Sequence, residues 1–189
     1  QTGRFRQFMQ CDIDILGDET NLAEIELIGA TSGMLTKIFE TVGIDAFTVH
    51  VNDRKILTAI CLQAGFKEED VPSVLISLDK FDKIGLDGIR KELVENGHPE
   101  EVVDKYLSIY ENLNTNSCEE FCKDVSEEYL DSSVVSAMEE IISCAEAMVN
   151  EHVSVVFDPT LVRGMGYYTG PIFEITIDGY GFSIAGGGR

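Results

Sequence analysis

One acidic, helix-patterned stretch, residues 66 to about 150, interrupts a chain whose two ends are patterned as strands. Segments near 69–83, 86–96, 99–113, 117–129 and 132–150 each carry an apolar stripe at helical spacing. Gly85, Gly97-His98-Pro99 and Asn114-Thr115-Asn116-Ser117 separate some of them. Pro99 suits a first helical turn, and Ser117 with Glu120 three places on forms a capping box. The charge shifts with the pattern. Residues 66–150 hold 21 acidic and 7 basic side chains, against 13 and 7 in the remainder. Both changes mark an inserted helical domain, 66–150, within a unit made of 1–65 and 151–189. At 189 residues the chain has room for both. No catalytic constellation stands out in the helical part, and its carboxylates read as a solvated face.

The net charge of −20 opposes nonspecific binding to phosphate backbones. If the protein handles RNA, its basic contact surface is expected mostly outside these residues. No run of 18 apolar residues and no signal-peptide pattern occurs, so a soluble, intracellular protein without membrane contact is expected. The chain opens on Gln1-Thr2-Gly3 rather than Met and stops at Arg189 after three glycines, which reads as a fragment. Cys118 and Cys122 have the spacing of two metal ligands on a helix, but no second ligand pair accompanies them. With Cys11, Cys61 and Cys144 they are expected to be reduced thiols, and no metal site is expected. His50, His98 and His152 are isolated and read as ordinary surface or core residues.

In the flanking parts, residues 4–16 alternate as a strand. Phe5, Met9, Cys11, Ile13 and Ile15 make one face; Arg4, Arg6, Gln10, Asp12 and Asp14 make the other, which resembles the floor of a polar site. A helix is expected over 21–42, stopped by Gly43 in the left-handed region. Gly29 and Gly33 would let it lie close on a sheet. A second strand, Phe47 to Val51, ends at Asn52-Asp53, N-cap residues for a helix from about Arg54 to Gly65. Strand character returns at Val153 to Phe157 and at Ile172 to Asp178, before a tight turn at Gly179-Tyr180-Gly181. The strand–helix order of the first 65 residues suggests a parallel α/β unit, while these later strands leave a mixed or antiparallel sheet equally open. Between those strands lies Leu161-Val162-Arg163-Gly164-Met165-Gly166-Tyr167-Tyr168-Thr169-Gly170, followed by Pro171-Ile172-Phe173-Glu174-Ile175. Arg163, set among glycines, offers a planar cation for carboxylate or phosphate. Tyr167 and Tyr168 offer ring faces and hydroxyls for a small polar ligand. Gly186-Gly187-Gly188 reads either as a close-approach surface for a ligand or as a flexible connection.

These residues resemble a known family. Gly3 to Gly17 is similar to the second half of motif 2 of the histidyl-tRNA synthetases. Leu161 to Gly170 resembles their histidine-specific signature, and Ala185 to Arg189 the start of the glycine-rich signature that follows. The resemblance covers nearly the whole chain. It implies an α+β fold: a class II synthetase antiparallel sheet flanked by helices, with an inserted all-helical domain. It also implies an aminoacyl-tRNA ligase that activates histidine with ATP and Mg2+ and transfers it to tRNA(His), as a cytoplasmic homodimer. Arg163 would be catalytic and would bind the histidine carboxylate and α-phosphate. Gln10, Asp14, Tyr167 and Tyr168 would hold histidine, with Asp14 against the imidazole. Arg4, Gly186, Gly187, Gly188 and Arg189 would lie at ATP. Two positions depart from the family pattern: Gly166 stands where Asp is usual, and Met9 where an aromatic or His is common. The first strand of motif 2, motif 1, motif 3 and an anticodon-binding domain are not among these residues, so the chain alone is expected to be inactive. Two other readings remain at this point. One is the synthetase-like regulatory subunit of ATP phosphoribosyltransferase in histidine biosynthesis; the other is a non-catalytic interaction fragment.

Overall fold

A computed structural model describes residues 7–44, 46–111, 117–163, 167–177, 179–180 and 183–189. Helix α1 spans Leu22–Glu40 and strand β1 Phe47–Asp53, leading directly into α2, Arg54–Ala64. A single 3-10 turn, Glu68–Asp70, precedes α3 (Val71–Leu78), α4 (Phe81–Glu95), α5 (Glu100–Ser108), α6 (Cys118–Cys122) and α7 (Ser132–Met148). Strands β2 (Val153–Phe157), β3 (Pro171–Thr176) and β4 (Ala185–Gly188) close the order. No helix is long and apolar enough to cross a membrane among the described residues.

The helix ends follow local chemistry. The Asp53 carboxylate accepts the Lys55 N–H at 2.7 Å, and Gly65 (φ 110°) ends α2 in the left-handed region. Ser117 accepts the Glu120 N–H at 3.3 Å, the N-cap half of the expected box, while the Glu139 carboxylate takes the Glu119 N–H at 2.9 Å. Gly85 (φ 64°) kinks α4 near its start, where the sequence pattern placed a break. Gly29 does bring α1 close to a neighbour, but that neighbour is α7: a Cβ there would lie 2.6 Å from the Met148 methyl.

The sheet runs in the order β2-β1-β3-β4. The β1–β3 and β3–β4 pairs are antiparallel, as expected, but β1 and β2 are parallel, with Phe47 opposite Val153 and Val51 opposite Phe157. The sheet is therefore mixed. A parallel neighbour needs a crossover connection, and here the crossover is the whole helical run from α2 to α7. Its last helix, α7, packs Met138, Ile141 and Ala145 inward and contacts α1, β1 and β2. One buried cluster joins helices and sheet. Rings carry it across: Phe66 meets Tyr106 at 5.4 Å, Tyr106 meets Tyr110 at 5.2 Å, Tyr110 meets Phe121 at 6.0 Å and Phe121 meets Phe157 of β2 at 5.6 Å. Each such pair contributes about 0.5–1.5 kcal/mol beyond the area it buries.

The expected strand over 4–16 does not form among the described residues. Residues 7–16 pair with no strand, and Phe8 (72%), Met9 (97%) and Ile13 (53%) face solvent. Alternation makes a strand only where a partner completes the ladder and covers the apolar face. No described strand does either. Residues 4–6 of that expectation, the Asn114-Thr115-Asn116 break, Asp178 and Gly181 lie outside the described residues.

Candidate active site

Strand alternation divides the sheet into two unlike faces. Phe47, Val49, Val51, Val153, Val155, Phe157, Phe173 and Ile175 turn to one side and are buried. The other side carries Thr48, His50, Ser154, Glu174 and Thr176, which are polar and at least partly exposed, together with Val156 and the buried Asn52 and Ile172. His50 of β1 stands opposite Glu174 of β3, and Glu174 opposite Gly186 of β4. A polar row therefore crosses three strands.

Arg163 reaches this row because the segment before it is tied to the end of β1. Asn52, fully buried, donates its side-chain amide to the Leu161 carbonyl at 3.2 Å. The Asp158 N–H donates to the Val51 carbonyl at 2.9 Å, and Leu161 and Val162 are themselves buried. The Arg163 guanidinium then lies over the sheet. Its Nε donates to the Glu174 carboxylate at 2.9 Å and one terminal nitrogen to the Ser183 hydroxyl at 2.8 Å. Beneath it is Gly186, where a Cβ would lie 2.5 Å from both Cζ and Nε. The glycines are thus a paired strand rather than a flexible connection. Gly186 seats Arg163, Gly187 lies against the Phe173 ring and Gly188 against Tyr168, each too close for a side chain.

Tyr168 joins the arrangement from the next loop. Its ring meets that of Tyr167 at a tilt of 47°, centroids 4.2 Å apart, and its phenol is pushed up to about 12. Burial is the first cause, with the hydrogen bond to Tyr167 and the nearby Asp14 carboxylate adding to it and Arg163 opposing. Gln10 is turned elsewhere: its amide donates to Asp12 at 2.7 Å on an exposed segment. Arg189 is already engaged, its guanidinium gripping Glu24 and two backbone carbonyls. Arg4, Gly164 and Gly166 lie outside the described residues.

Two groups on this face were not expected from sequence. Glu174 is the single charge in the run Pro171 to Thr176, and that isolation was its signal. His50 is held through both ring nitrogens: Nδ1 donates to the Asp158 carboxylate at 3.0 Å, and Nε2 shares a hydrogen bond with the Thr176 hydroxyl at 2.9 Å. The bond to Asp158 raises the His50 pKa above its ordinary value despite burial. Burial opposes ionisation of Asp158, yet His50 and Thr160 together hold its pKa below the ordinary range. Nothing in the local sequence around His50 announces a partner more than a hundred residues away. Cys118 and Cys122 are buried free thiols with sulfurs 4.0 Å apart, and no group of three or more His, Cys, Asp or Glu suited to a metal ion occurs among the described residues.

The family model for histidyl-tRNA synthetase matches residues 1–189. The chain belongs to this family. It is 42% identical to a histidine–tRNA ligase of Leifsonia xyli subsp. xyli, over all of this chain and 44% of that protein. It is 46% identical to a probable histidine–tRNA ligase of Tropheryma whipplei, over all of this chain and 45% of that protein. Among solved structures, a histidyl-tRNA synthetase from Nostoc sp. PCC 7120 superposes with a TM-score of 0.71 at 25% identity, over 87% of this chain and 40% of that one. The chain therefore spans less than half the length of these relatives.

Proposed function

We propose that the protein containing this chain is a histidine–tRNA ligase and that the polar face under Arg163 is where histidine is activated. Among the described residues, Glu174 and Ser183 occupy Nε and one terminal nitrogen of Arg163, which leaves its other N–H groups for a ligand. That is the observation that carries the reading: a fixed guanidinium whose remaining donors suit a carboxylate or phosphate. A histidine carboxylate oxygen would attack the α-phosphorus of ATP, forming the acyl-phosphate bond as the bond to pyrophosphate breaks. Arg163 would hold the carboxylate and offset the charge gathering on the α-phosphate. Asp14 and Tyr168 would take the imidazole between them, with Gln10 and Tyr167 closing on the amino acid. Reading a ring N–H with a carboxylate rejects amino acids that leave it unpaired. Arg4 would lie toward ATP. Gly186 and Gly188 would border the nucleotide by keeping Arg163 and Tyr168 low on the sheet. Mg2+ would arrive on the nucleotide's phosphates, since the described carboxylates offer no cluster for it. Transfer to tRNA(His), a homodimeric assembly and a cytoplasmic location belong to the same reading. So does the division into a catalytic part, 1–65 and 151–189, and a helical insertion, 66–150.

Histidine-dependent pyrophosphate exchange by the complete protein tests this. Exchange is expected, with Arg163→Ala lowering it by about a hundredfold or more. Asp14→Asn should weaken histidine far more than unrelated amino acids of similar size. Histidine binding without any exchange would replace this reading with a regulatory one.

A further inference from the structure

Arg189 was expected at ATP, yet four of its N–H groups are already spent inside the chain. Nε and one terminal nitrogen grip both oxygens of Glu24, at 2.6 and 2.8 Å. The terminal nitrogens also donate to the Asp18 carbonyl at 2.9 Å and the Thr20 carbonyl at 2.7 Å. Glu24 lies in the first turn of α1 and is only 3% exposed. A buried carboxylate is costly unless a well-shaped partner satisfies it, and a forked guanidinium is such a partner. The main chain of Arg189 is equally committed. Its N–H donates to Pro171 and its carbonyl accepts from Thr169, at 2.9 and 2.8 Å. Its stem also packs 3.6 Å from where a Gly170 Cβ would be.

One residue therefore fastens two segments that share no strand pairing. Through its backbone it holds the loop that carries Tyr168. Through its side chain it holds Asp18 to Glu24, just after the unpaired stretch that carries Gln10 and Asp14. The guanidinium's carbonyl contacts fall four and six residues beyond Asp14.

We propose that Arg189 is a positioning residue for the amino acid rather than a ligand of ATP: with Glu24 it anchors the 17–20 turn and so sets the segment that carries Asp14 relative to the loop that carries Tyr168. The proposal rests on the histidine-activation reading for its kinetic consequence, but its structural consequence is measurable without it. A small displacement of a substrate-positioning group is enough to cost orders of magnitude in rate.

The test compares Arg189→Lys, Arg189→Ala, Glu24→Gln and the Arg189→Lys/Glu24→Gln double variant in the complete protein. Each single variant is expected to raise the histidine KM about tenfold or more and to leave the ATP KM within about twofold. The double variant should be no worse than the worse single, because both changes break one tie. Amide hydrogen exchange over residues 8–20 should quicken in every variant, whether or not the protein catalyses exchange of pyrophosphate. Arg189→Lys keeps the charge and is the variant expected to fold where Arg189→Ala does not. A raised ATP KM with histidine KM unchanged, additive losses in the double variant, or unaltered hydrogen exchange over 8–20 in Arg189→Lys would each overturn the assignment. Absence of pyrophosphate exchange in the unmodified protein would instead remove the ligase reading and leave the hydrogen-exchange arm to decide the tie.

Discussion

Arg163 stands on a framework that this chain supplies by itself, whereas Gln10 and Asp14 ride on a segment that no described strand pairs. Around Arg163, a buried Asn52 fixes the approach, Glu174 and Ser183 hold the guanidinium, and Gly186 provides the seat. Residues 7–16 have an alternating pattern but no ladder, and their apolar side chains face water. The two parts of the proposed site thus differ in how their order is produced. The first is set by cross-strand register, which is specific to a residue. The second depends on a tie at one end, through Arg189, and on a nearby phenol.

The largest effect expected is at the seat. Gly186→Ala places a methyl group where the Arg163 guanidinium lies, and the guanidinium, at the end of a flexible side chain, is what must move. Pyrophosphate exchange should fall about a hundredfold or more, while the melting temperature changes by no more than about 2 °C. Activity within threefold of the parent would show that Arg163 does not need this seat. Next comes Gly188→Ala, which meets backbone instead: its Cβ would lie 2.8 Å from the Pro171 carbonyl oxygen. Backbone cannot swing aside, so a loss of about 2 kcal/mol in urea unfolding is expected. Two glycines two residues apart should therefore fail in different ways, one in chemistry and one in stability.

Much of this framework is legible in the sequence where the cause is local. The Asp53 cap, the left-handed Gly65 and the break at Gly85 depend on residues within a few positions, and the chain shows them directly. The Arg163 run is also legible, because glycines and paired tyrosines around one cation are unusual in a strand connection. What escapes is pairing across distance. Glu174 reads as the polar tooth of an ordinary strand until β4 places Gly186 beside it. Arg189 is placed at ATP by resemblance alone, and nothing local points to its partner Glu24, 165 positions away. The parallel β1–β2 pair escapes for the same reason, since alternation gives the faces of a strand and not the direction of its neighbour. The strand expected over 4–16 is the converse error: local alternation without the partner that would make it a strand.

A smaller effect is expected at His50, which belongs to the supplied framework but is linked to it by a titrating bond. Its folded pKa lies above the unfolded value of about 6.5, chiefly through the bond to Asp158. The stabilisation is then complete below that unfolded value and is lost as pH rises through the folded pKa. His50→Gln should remove a decline in stability above about pH 6.5, seen as urea midpoints that converge with the parent at alkaline pH. An unchanged pH profile in the variant would mean that the pair is not formed in solution.

The smallest effect is the sharpest test of the contrast. Phe8 and Met9 would be core residues if 4–16 were an internal strand, and replacing both with Ser would then cost several kcal/mol. On the described chain they are exposed, so the Phe8→Ser/Met9→Ser variant should shift the unfolding free energy by less than about 0.5 kcal/mol. Val49→Ala, at a fully buried position of β1, is the internal control and should cost about 2 kcal/mol. The same measurement repeated in the complete protein separates two sources of order. A loss that remains small there means that residues 7–16 act as an exposed arm held through the Arg189 tie. A loss of several kcal/mol there, with none in this chain, means that the alternating pattern is meant for a partner strand elsewhere. In that case Asp14 acquires its register from that partner, and Arg189 only guides it to the place.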